Sequence, residues 1–275
     1  MPCGCWCNVA CHRPAPAAWC SSRGRPFNTS RARIGTPNSS RRSALAAKHP
    51  RYGYRRIQAL LRRKQRVNKK RIHRLWQRAR LQVRKRPGKR RRPVGNGRPV
   101  KATYPGHVWT DDVLEDRGQT GPVLRILTVM DEFTREGLAI EVATSIPATR
   151  VITILERLVA AHGAPAYIRS DNGPEFVALA LRGWRASQQV TTLYIDPGCP
   201  WQNGYGASFN GTVGDECLNL YVFGAVTEAR VRLAGLRQHY HTERPHSSLG
   251  YRSPIEFKRD WIQAQSAAGD SNISD

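Results

Sequence analysis

The first 110 residues contain no aspartate or glutamate, and this absence divides the chain into two parts of opposite charge. Those residues carry 30 of the 45 lysines and arginines, and the first acid is Asp111. The remainder carries 15 basic residues and all 20 acidic ones, a net charge of −5. A solvated charged face normally mixes both signs. The one-signed part therefore indicates a folded domain that binds nucleic acid.

Long apolar runs are also missing. The best stretch, residues 123–130, is short and interrupted by Arg125, whereas a membrane-spanning helix needs about 18 apolar residues. No basic segment followed by an apolar stretch opens the sequence, so a secretory signal is not expected. Hydrophobic residues make up 40% of the chain, which is enough for a packed core. We expect a cytoplasmic protein of one or two domains with no membrane partner.

The amino terminus is rich in cysteine but lacks the paired C-x2-C spacing that tetrahedral zinc sites usually use. Five of the seven cysteines lie there: Cys3, Cys5, Cys7, Cys11 and Cys20. A disulfide framework is uncommon in a cytosolic chain. The surrounding residues show no helical or strand periodicity. We predict that residues 1–40 are disordered and without function.

Two amphipathic patterns lie within residues 41–86. Ile57, Leu60 and Leu61 fall at helical spacing, and a second apolar pattern runs from Ile72 to Ala79 at i, i+3, i+4 and i+7. Asn68 precedes the second pattern, where an N-cap belongs. These features predict a helix-turn-helix domain. The alternative is an ordinary helical hairpin.

Basic residues on these two helices favour DNA over the plain hairpin. We expect their side chains to hold phosphates, which gives affinity rather than sequence choice. The candidates are Arg55, Arg56, Lys69, Lys70, Arg71, Arg74 and Arg78. Residues 87–101 are mostly Pro, Gly, Arg and Lys without periodicity, and they predict a basic linker.

From residue 102 the pattern becomes that of an α/β domain, which we place at residues 102–262. Strands are predicted at residues 107–114, 123–130, 137–142, 166–169 and 191–195. Helices are predicted at residues 147–162, 174–188 and 230–241. Residues 263–275 are predicted to form a disordered tail.

Two aspartates lie on predicted strands or directly after them. Asp112 lies within the first strand, and Asp171 follows the fourth. Ligands of open α/β sheets gather at the carboxyl ends of strands. Carboxylates without neighbouring cysteine or histidine suit a hard cation such as Mg²⁺. Taken alone, each aspartate is more often a cap or a turn residue.

Several longer segments resemble bacterial insertion-sequence transposases of the second reading frame, which carry a retroviral-integrase-type core. The matching segments are residues 49–56 (HPRYGYRR), 107–112 (HVWTDD), 127–136 (LTVMDEFTRE), 170–176 (SDNGPEF) and 244–251 (RPHSSLGY). The resemblance runs in order from about Arg41 to Phe257. It implies a ribonuclease-H-like core behind the helix-turn-helix domain.

The resemblance also implies a mechanism of DNA cleavage and strand transfer. In this superfamily an Asp-Asp-Glu triad binds two Mg²⁺ or Mn²⁺ ions, which clamp the attacking and leaving oxygens. By motif, Asp112 and Asp171 are the two aspartates and metal ligands. Asp111 is the weaker candidate because adjacent strand residues point to opposite faces. Insertion-sequence ends, target DNA and further copies of the chain are the implied partners, and the need for an upstream-frame protein is left open.

The third member of the triad is absent from the motif. Ala207 occupies the position of the family's glutamate, 36 residues after Asp171. Glu216 lies nine residues further along the same expected helix, so it cannot substitute, and Glu175 would require the next helix to refold. We therefore expect impaired catalysis; the alternative is a catalytically dead DNA-binding remnant or an inhibitor of transposition. Gly206 replaces an apolar helix former, and we expect Gly206→Ile to strengthen the helix.

Overall fold

The computed structural model describes residues 44–64, 66–83, 100–117, 123–171, 173, 176, 178–196 and 199–271. All of these residues lie within one structural unit, Gly35–Asp275. The predictions for residues 1–40 and for residues 87–99 of the linker lie outside the described ranges. Within those ranges, no helix has the length and apolar character needed to cross a membrane.

The helix-turn-helix prediction is confirmed for the described part of residues 41–86. The helices are α1 (44–48), α2 (Tyr54–Arg62) and α3 (Lys69–Arg78). Ile57 of α2 is buried in one cluster with Ile72 and Trp76 of α3, as their 3.6-residue periodicity requires. The Asn68 side chain accepts a hydrogen bond from the backbone N–H of Lys70 at 2.8 Å, which caps α3.

A five-stranded mixed sheet forms the centre of the second domain. Its strands are β1 (Val108–Arg117), β2 (Val123–Asp131), β3 (Gly137–Ala143), β4 (Tyr167–Ser170) and β5 (Thr191–Tyr194). The order is β3-β2-β1-β4-β5. The first three strands pair antiparallel, whereas β4 and β5 run parallel to β1. All five predicted strands are confirmed, and the predicted α/β class is correct.

Helices cover both faces of this sheet. The helices of the second domain are α4 (Ala148–His162), α5 (Leu179–Ser187), α6 (Gly204–Val213), α7 (Val226–Thr242) and α8 (Pro254–Ser271). Leu127 and Val129 point toward α4 and α5, whereas Ile126 and Met130 point toward α6 and α7. This alternation is the two-residue period of a strand buried on both faces.

One helix begins earlier than predicted, and the last helix, α8, was not predicted. Helix α7 begins at Val226, and α8 continues to Ser271, so the predicted disordered tail is wrong for residues 263–271. The side chains of residues 263–267 are exposed, so the apolar periodicity ends while the backbone stays helical. Alanine and glutamine in this stretch favour the helix without packing contacts. Residues 272–275 lie outside the described ranges.

Candidate active site and nucleic-acid surface

Asp112 lies on β1, and Asp171 directly follows β4, the neighbouring parallel strand. The register pairs Thr110 of β1 with Arg169 of β4, and each aspartate follows its own strand's member of that pair by two residues. Side chains two residues apart share a face of the sheet. The structure therefore brings together the two carboxylates that the sequence selected.

Burial and a like charge act together on Asp112. Burial is the largest influence that raises the pKa of its carboxyl to about 6, and the negative charge of Asp171 adds to the rise. Backbone and amide hydrogen bonds to the carboxylate, from Val113 and Asn210, oppose that rise. A cation placed beside Asp112 would offset the negative charge that raises the pKa of its carboxyl.

Asn210 is a polar contact of this site to which the sequence analysis assigned no role. Its Nδ2 donates to Asp112 Oδ2 at 2.8 Å, and its Oδ1 accepts from the Thr128 hydroxyl at 2.8 Å. Asn210 is buried on α6, so both ends of its amide are satisfied where water is excluded. The available signal was its place in the same motif as Ala207.

The neighbouring Asp111 faces the opposite side of the sheet. Its Oδ2 accepts from Arg185 at 2.7 Å, and its Oδ1 accepts from the Ser170 hydroxyl. Asp111 and Arg185 are almost completely buried, with side-chain exposures of 0% and 1%. Burial raises the pKa of the Asp111 carboxyl, and the Arg185 guanidinium opposes that rise. Asp111 is therefore committed to an ion pair inside the α4–α5 layer.

Ala207 lies on α6 one turn before Asn210. Helix α6 packs on β1 and β2, and residues three apart lie on the same side of a helix. Since Asn210 contacts Asp112, this side of α6 faces the aspartates, and at position 207 it presents only an exposed methyl group. The glutamate that the resemblance implies is absent from the place where its helix meets the pair.

Glu216 is held in a different contact. It lies in a π-helical turn that continues α6, Gly214–Leu218, and its carboxylate accepts three hydrogen bonds from Arg244 at 2.9 to 3.1 Å. Arg56 adds a second positive charge at 3.5 Å. These contacts agree with the expectation that Glu216 does not replace the missing glutamate. Glu175 lies outside the described residues.

The packing around Gly206 argues against the expected benefit of Gly206→Ile. A Cβ atom at Gly206 would lie 2.5 Å from Thr110 Cγ2 and 2.5 Å from Asn203 Oδ1. Thr110 and Asn203 are both buried, so neither side chain can withdraw into solvent. Gly206 is therefore the point of close approach between α6 and β1.

The donor set falls short of a two-ion centre. Within the ranges that the structure describes, no group of three or more His, Cys, Asp and Glu side chains could hold a metal ion. One oxygen of Asp112 is already bonded to the Asn210 amide. Asp112 and Asp171 suffice for a single Mg²⁺ or Mn²⁺ ion that also takes water or phosphate oxygens. They do not fit the pair of ions that the resemblance implies.

The predicted DNA-contacting residues divide into an exposed group and one exception. The exposed members are Arg55, Lys69, Lys70, Arg71, Arg74 and Arg78. Arg56 instead points inward, 3.5 Å from Glu216 and over the Tyr52 ring at 5.4 Å from its centroid. Arg56 is therefore less available to a phosphate than the exposed members, and periodicity alone did not reveal the carboxylate that the second domain brings to it.

Family comparisons cover both domains. The model of an HTH-like domain matches residues 41–90. Two models described as an integrase core domain match residues 102–200 and residues 188–254.

The solved structures to which the chain is similar include viral integrases. The intasome of simian T-cell lymphotropic virus, in complex with PP2A regulatory subunit B56 gamma, is 16% identical with a TM-score of 0.49. The alignment covers 62% of this chain and 60% of that chain. The HTLV-2 integrase catalytic core domain in complex with magnesium (dimeric form) is 15% identical with a TM-score of 0.43, covering 56% and 97%.

Curated relatives come from bacterial insertion elements. The insertion element IS476 39.2 kDa protein of Xanthomonas euvesicatoria is 40% identical over 82% of this chain, which spans 66% of that relative's length. The IS407 31.7 kDa protein of Burkholderia multivorans is 39% identical over 78% of this chain and 77% of its own. Transposase InsD of Escherichia coli element IS2 is 27% identical, covering 76% and 74%. With both domains matched in order, the chain belongs to the insertion-element transposase family that carries an integrase-type core.

Proposed function

We propose that this chain is an insertion-element transposase that binds DNA but is impaired in strand transfer. Ala207 carries the proposal. Phosphoryl transfer relies on fixed charges around the reacting oxygens, and the side of α6 that meets Asp112 offers a methyl group in place of a carboxylate. A methyl group neither ligates a cation nor accepts a proton.

The proposal of DNA binding rests on the helix-turn-helix domain and does not depend on the residue at position 207. Five exposed lysine and arginine side chains lie along α3. This helix packs on α2 through Ile57, Ile72 and Trp76. Lysine and arginine side chains on such a helix can contact phosphate oxygens and position the protein on the duplex. Element ends and target DNA are the proposed ligands, bound by several copies of the chain.

The second candidate is an inert DNA-binding remnant, or an inhibitor that occupies element ends without cutting them. One observation favours it over a weakly active enzyme. Glu216, the next carboxylate along the helix, is bound by Arg244 and lies beside Arg56. Freeing it would leave the buried Arg244 and the partly exposed Arg56 without their carboxylate partner, which is costly for the buried charge.

The experiment compares the unmodified full-length chain with Ala207→Glu and with Ala207→Gln as a control of equal size. Each protein is incubated with duplex DNA carrying the element's terminal sequence and with Mg²⁺ or Mn²⁺, and cleavage and joining are measured. Only Ala207→Glu supplies the missing charge. We expect it to react about a hundredfold faster than the other two, equivalent to roughly 2.7 kcal/mol of barrier.

The outcomes separate the two candidates. A small rate in the unmodified chain that is lost in Asp112→Asn supports the impaired transposase. No reaction in the unmodified chain, with retained DNA binding, supports the inert protein. Cleavage by the unmodified chain as fast as by Ala207→Glu would contradict the proposal for position 207.

A further inference from the structure

A groove of about 810 Å³ lies between the helix-turn-helix domain and the carboxyl-terminal segment. We call it the composite groove. One wall is formed by α2 and the start of α3, with Arg55, Arg62 and Lys69. The other wall is formed by the segment before α8 and by α8 itself, with Arg252 and Arg259. The second wall belongs to neither the helix-turn-helix domain nor the aspartate site.

The charges of the composite groove do not cancel. Its two acids, Glu256 and Asp260, are already engaged by Arg63 at 2.6 Å and by Arg252 at 2.9 Å. Arg55, Arg62 and Lys69 form no ion pair with any residue that the structure describes. The groove therefore keeps an excess of positive charge that the chain does not neutralise, which is the electrostatic pattern of a polyanion site.

The helical domain is fixed against the carboxyl-terminal helices by one contact across the groove and by others outside it. Arg63 of the helical domain bonds Glu256 of α8, and the Tyr52 hydroxyl hydrogen-bonds His239 Nε2 on α7 at 2.8 Å. His49 stacks between these two rings, 4.6 Å from Tyr52 and 4.8 Å from His239. The basic side chains are thus carried on walls that need no rearrangement to meet a ligand.

The position of the groove beside α2 indicates which ligand it takes. In helix-turn-helix proteins the second helix enters the major groove while the first crosses the backbone. Arg55 and Arg62 lie on that first helix, α2, and both face the composite groove. A strand of duplex DNA that passes α2 would also meet Arg259 on the opposite wall.

We propose that the composite groove binds the sugar-phosphate backbone of duplex DNA, so that the carboxyl-terminal helix shares in DNA binding with the helix-turn-helix domain. This inference rests on the proposed DNA-binding function and adds a second wall to it. Phosphate contacts of this kind set orientation rather than sequence preference. The groove therefore fixes the direction in which DNA leaves the helical domain.

The test uses the full-length chain and a fluorescein-labelled 30-base-pair duplex in an anisotropy titration across a salt series. The variants are Arg62→Gln and Arg259→Gln, one from each wall. Arg182→Gln on α5 is the matched control, since Arg182 is exposed and lies outside the groove. We expect each groove variant to weaken binding about three- to tenfold and to lower the salt slope by about 1. The control should stay within about twofold, and thermal melting checks that every variant is folded.

The results distinguish the groove from DNA binding itself. If Arg74→Gln on α3 weakens binding while Arg259→Gln behaves like Arg182→Gln, the composite groove is wrong and the DNA-binding function stands. If the unmodified chain does not bind the duplex, both proposals fail. If the groove variants weaken binding only to the single-stranded 30-mer, the assignment to duplex DNA is overturned.

Discussion

The two faces of β1 treat adjacent carboxylates in opposite ways. On the α4–α5 face, Asp111 is paired with Arg185 and bonded by Ser170. On the α6 face, Asp112 meets an amide from Asn210 and the like charge of Asp171. Burial raises the pKa of both carboxyls to about 6, and for Asp111 the Arg185 guanidinium opposes that rise. On the first face the charge of Asp111 is neutralised by an arginine of the chain itself. On the second face the charge of Asp112 would be neutralised by a bound cation. Such uncompensated charge is typical of functional sites rather than of packing.

We expect the largest change in stability when the buried ion pair between Asp111 and Arg185 is removed. Asp111→Asn leaves the Arg185 guanidinium buried without its counter-charge, so we expect a loss of about 3–5 kcal/mol in the free energy of unfolding. Urea denaturation at pH 7 measures it. Glu141→Gln is the control, because its partner Arg157 is 61% exposed and a pair of that kind contributes about 0–1 kcal/mol. Equal losses in the two variants would contradict the comparison.

On the α6 face we expect a substitution of the aspartate to raise stability instead of lowering it. Because folding raises the pKa of Asp112 from 3.8 to about 6, its ionised form opposes folding fully above pH 6, and this penalty disappears as the pH falls below 3.8. Asp112→Asn should therefore stabilise the metal-free chain at pH 7.5. The shift corresponds to roughly 3 kcal/mol at 1.36 kcal/mol per pKa unit, and we expect about 2 kcal/mol because the carboxylate is partly exposed.

Unfolding free energies at several pH values test the Asp112 prediction. The gain from Asp112→Asn should be constant above pH 7, fall between about pH 6 and pH 4, and vanish below. Asp116→Asn, on the same strand, is the control and should change stability by less than about 0.5 kcal/mol. A destabilising Asp112→Asn would show that the aspartate is satisfied after all.

We expect the smallest change in stability at Gly206, where α6 approaches β1 closely. Gly206→Ile would bring a Cβ to 2.5 Å from Thr110 Cγ2. Overpacking of this kind costs about 1–3 kcal/mol, and the better helix propensity of isoleucine returns a few tenths, so we expect a net loss of about 1–2 kcal/mol. Gly235→Ala on α7, where a Cβ meets nothing within 4 Å, is the control. A more stable Gly206→Ile chain would contradict the close approach.

Much of the fold follows from local pattern, and the errors share a cause. The strands and the two helices of the DNA-binding domain were predictable because apolar side chains repeat at periods of two and 3.6 residues. Helix α8 was not predicted, and its turns from residue 263 onward carry exposed side chains with no apolar face. A periodic pattern reports packing, so it does not reveal helical turns that make no packing contacts.

The candidate site divides in the same way. Sequence motifs identify Asp112, Asp171 and the alanine at position 207, because each motif is defined by neighbouring residues in the chain. The contacts of Asn210 and Arg56 could not be predicted from motifs. Their partners, Asp112 and Glu216, lie far away in the sequence. Glu216 was excluded by helix geometry, while its engagement by Arg244 came from the structure.

The sequence by itself determined the charge division, the secondary structure, the family and the missing carboxylate, because these depend on residue identity and local spacing. Only the tertiary structure decided which face of β1 carries each aspartate's partners, why position 206 must stay small, and that the carboxyl-terminal helix forms a wall of a basic groove. Each of these depends on long-range contacts, whose geometry is set by how the sheet and its helices pack and not by the order of residues along the chain.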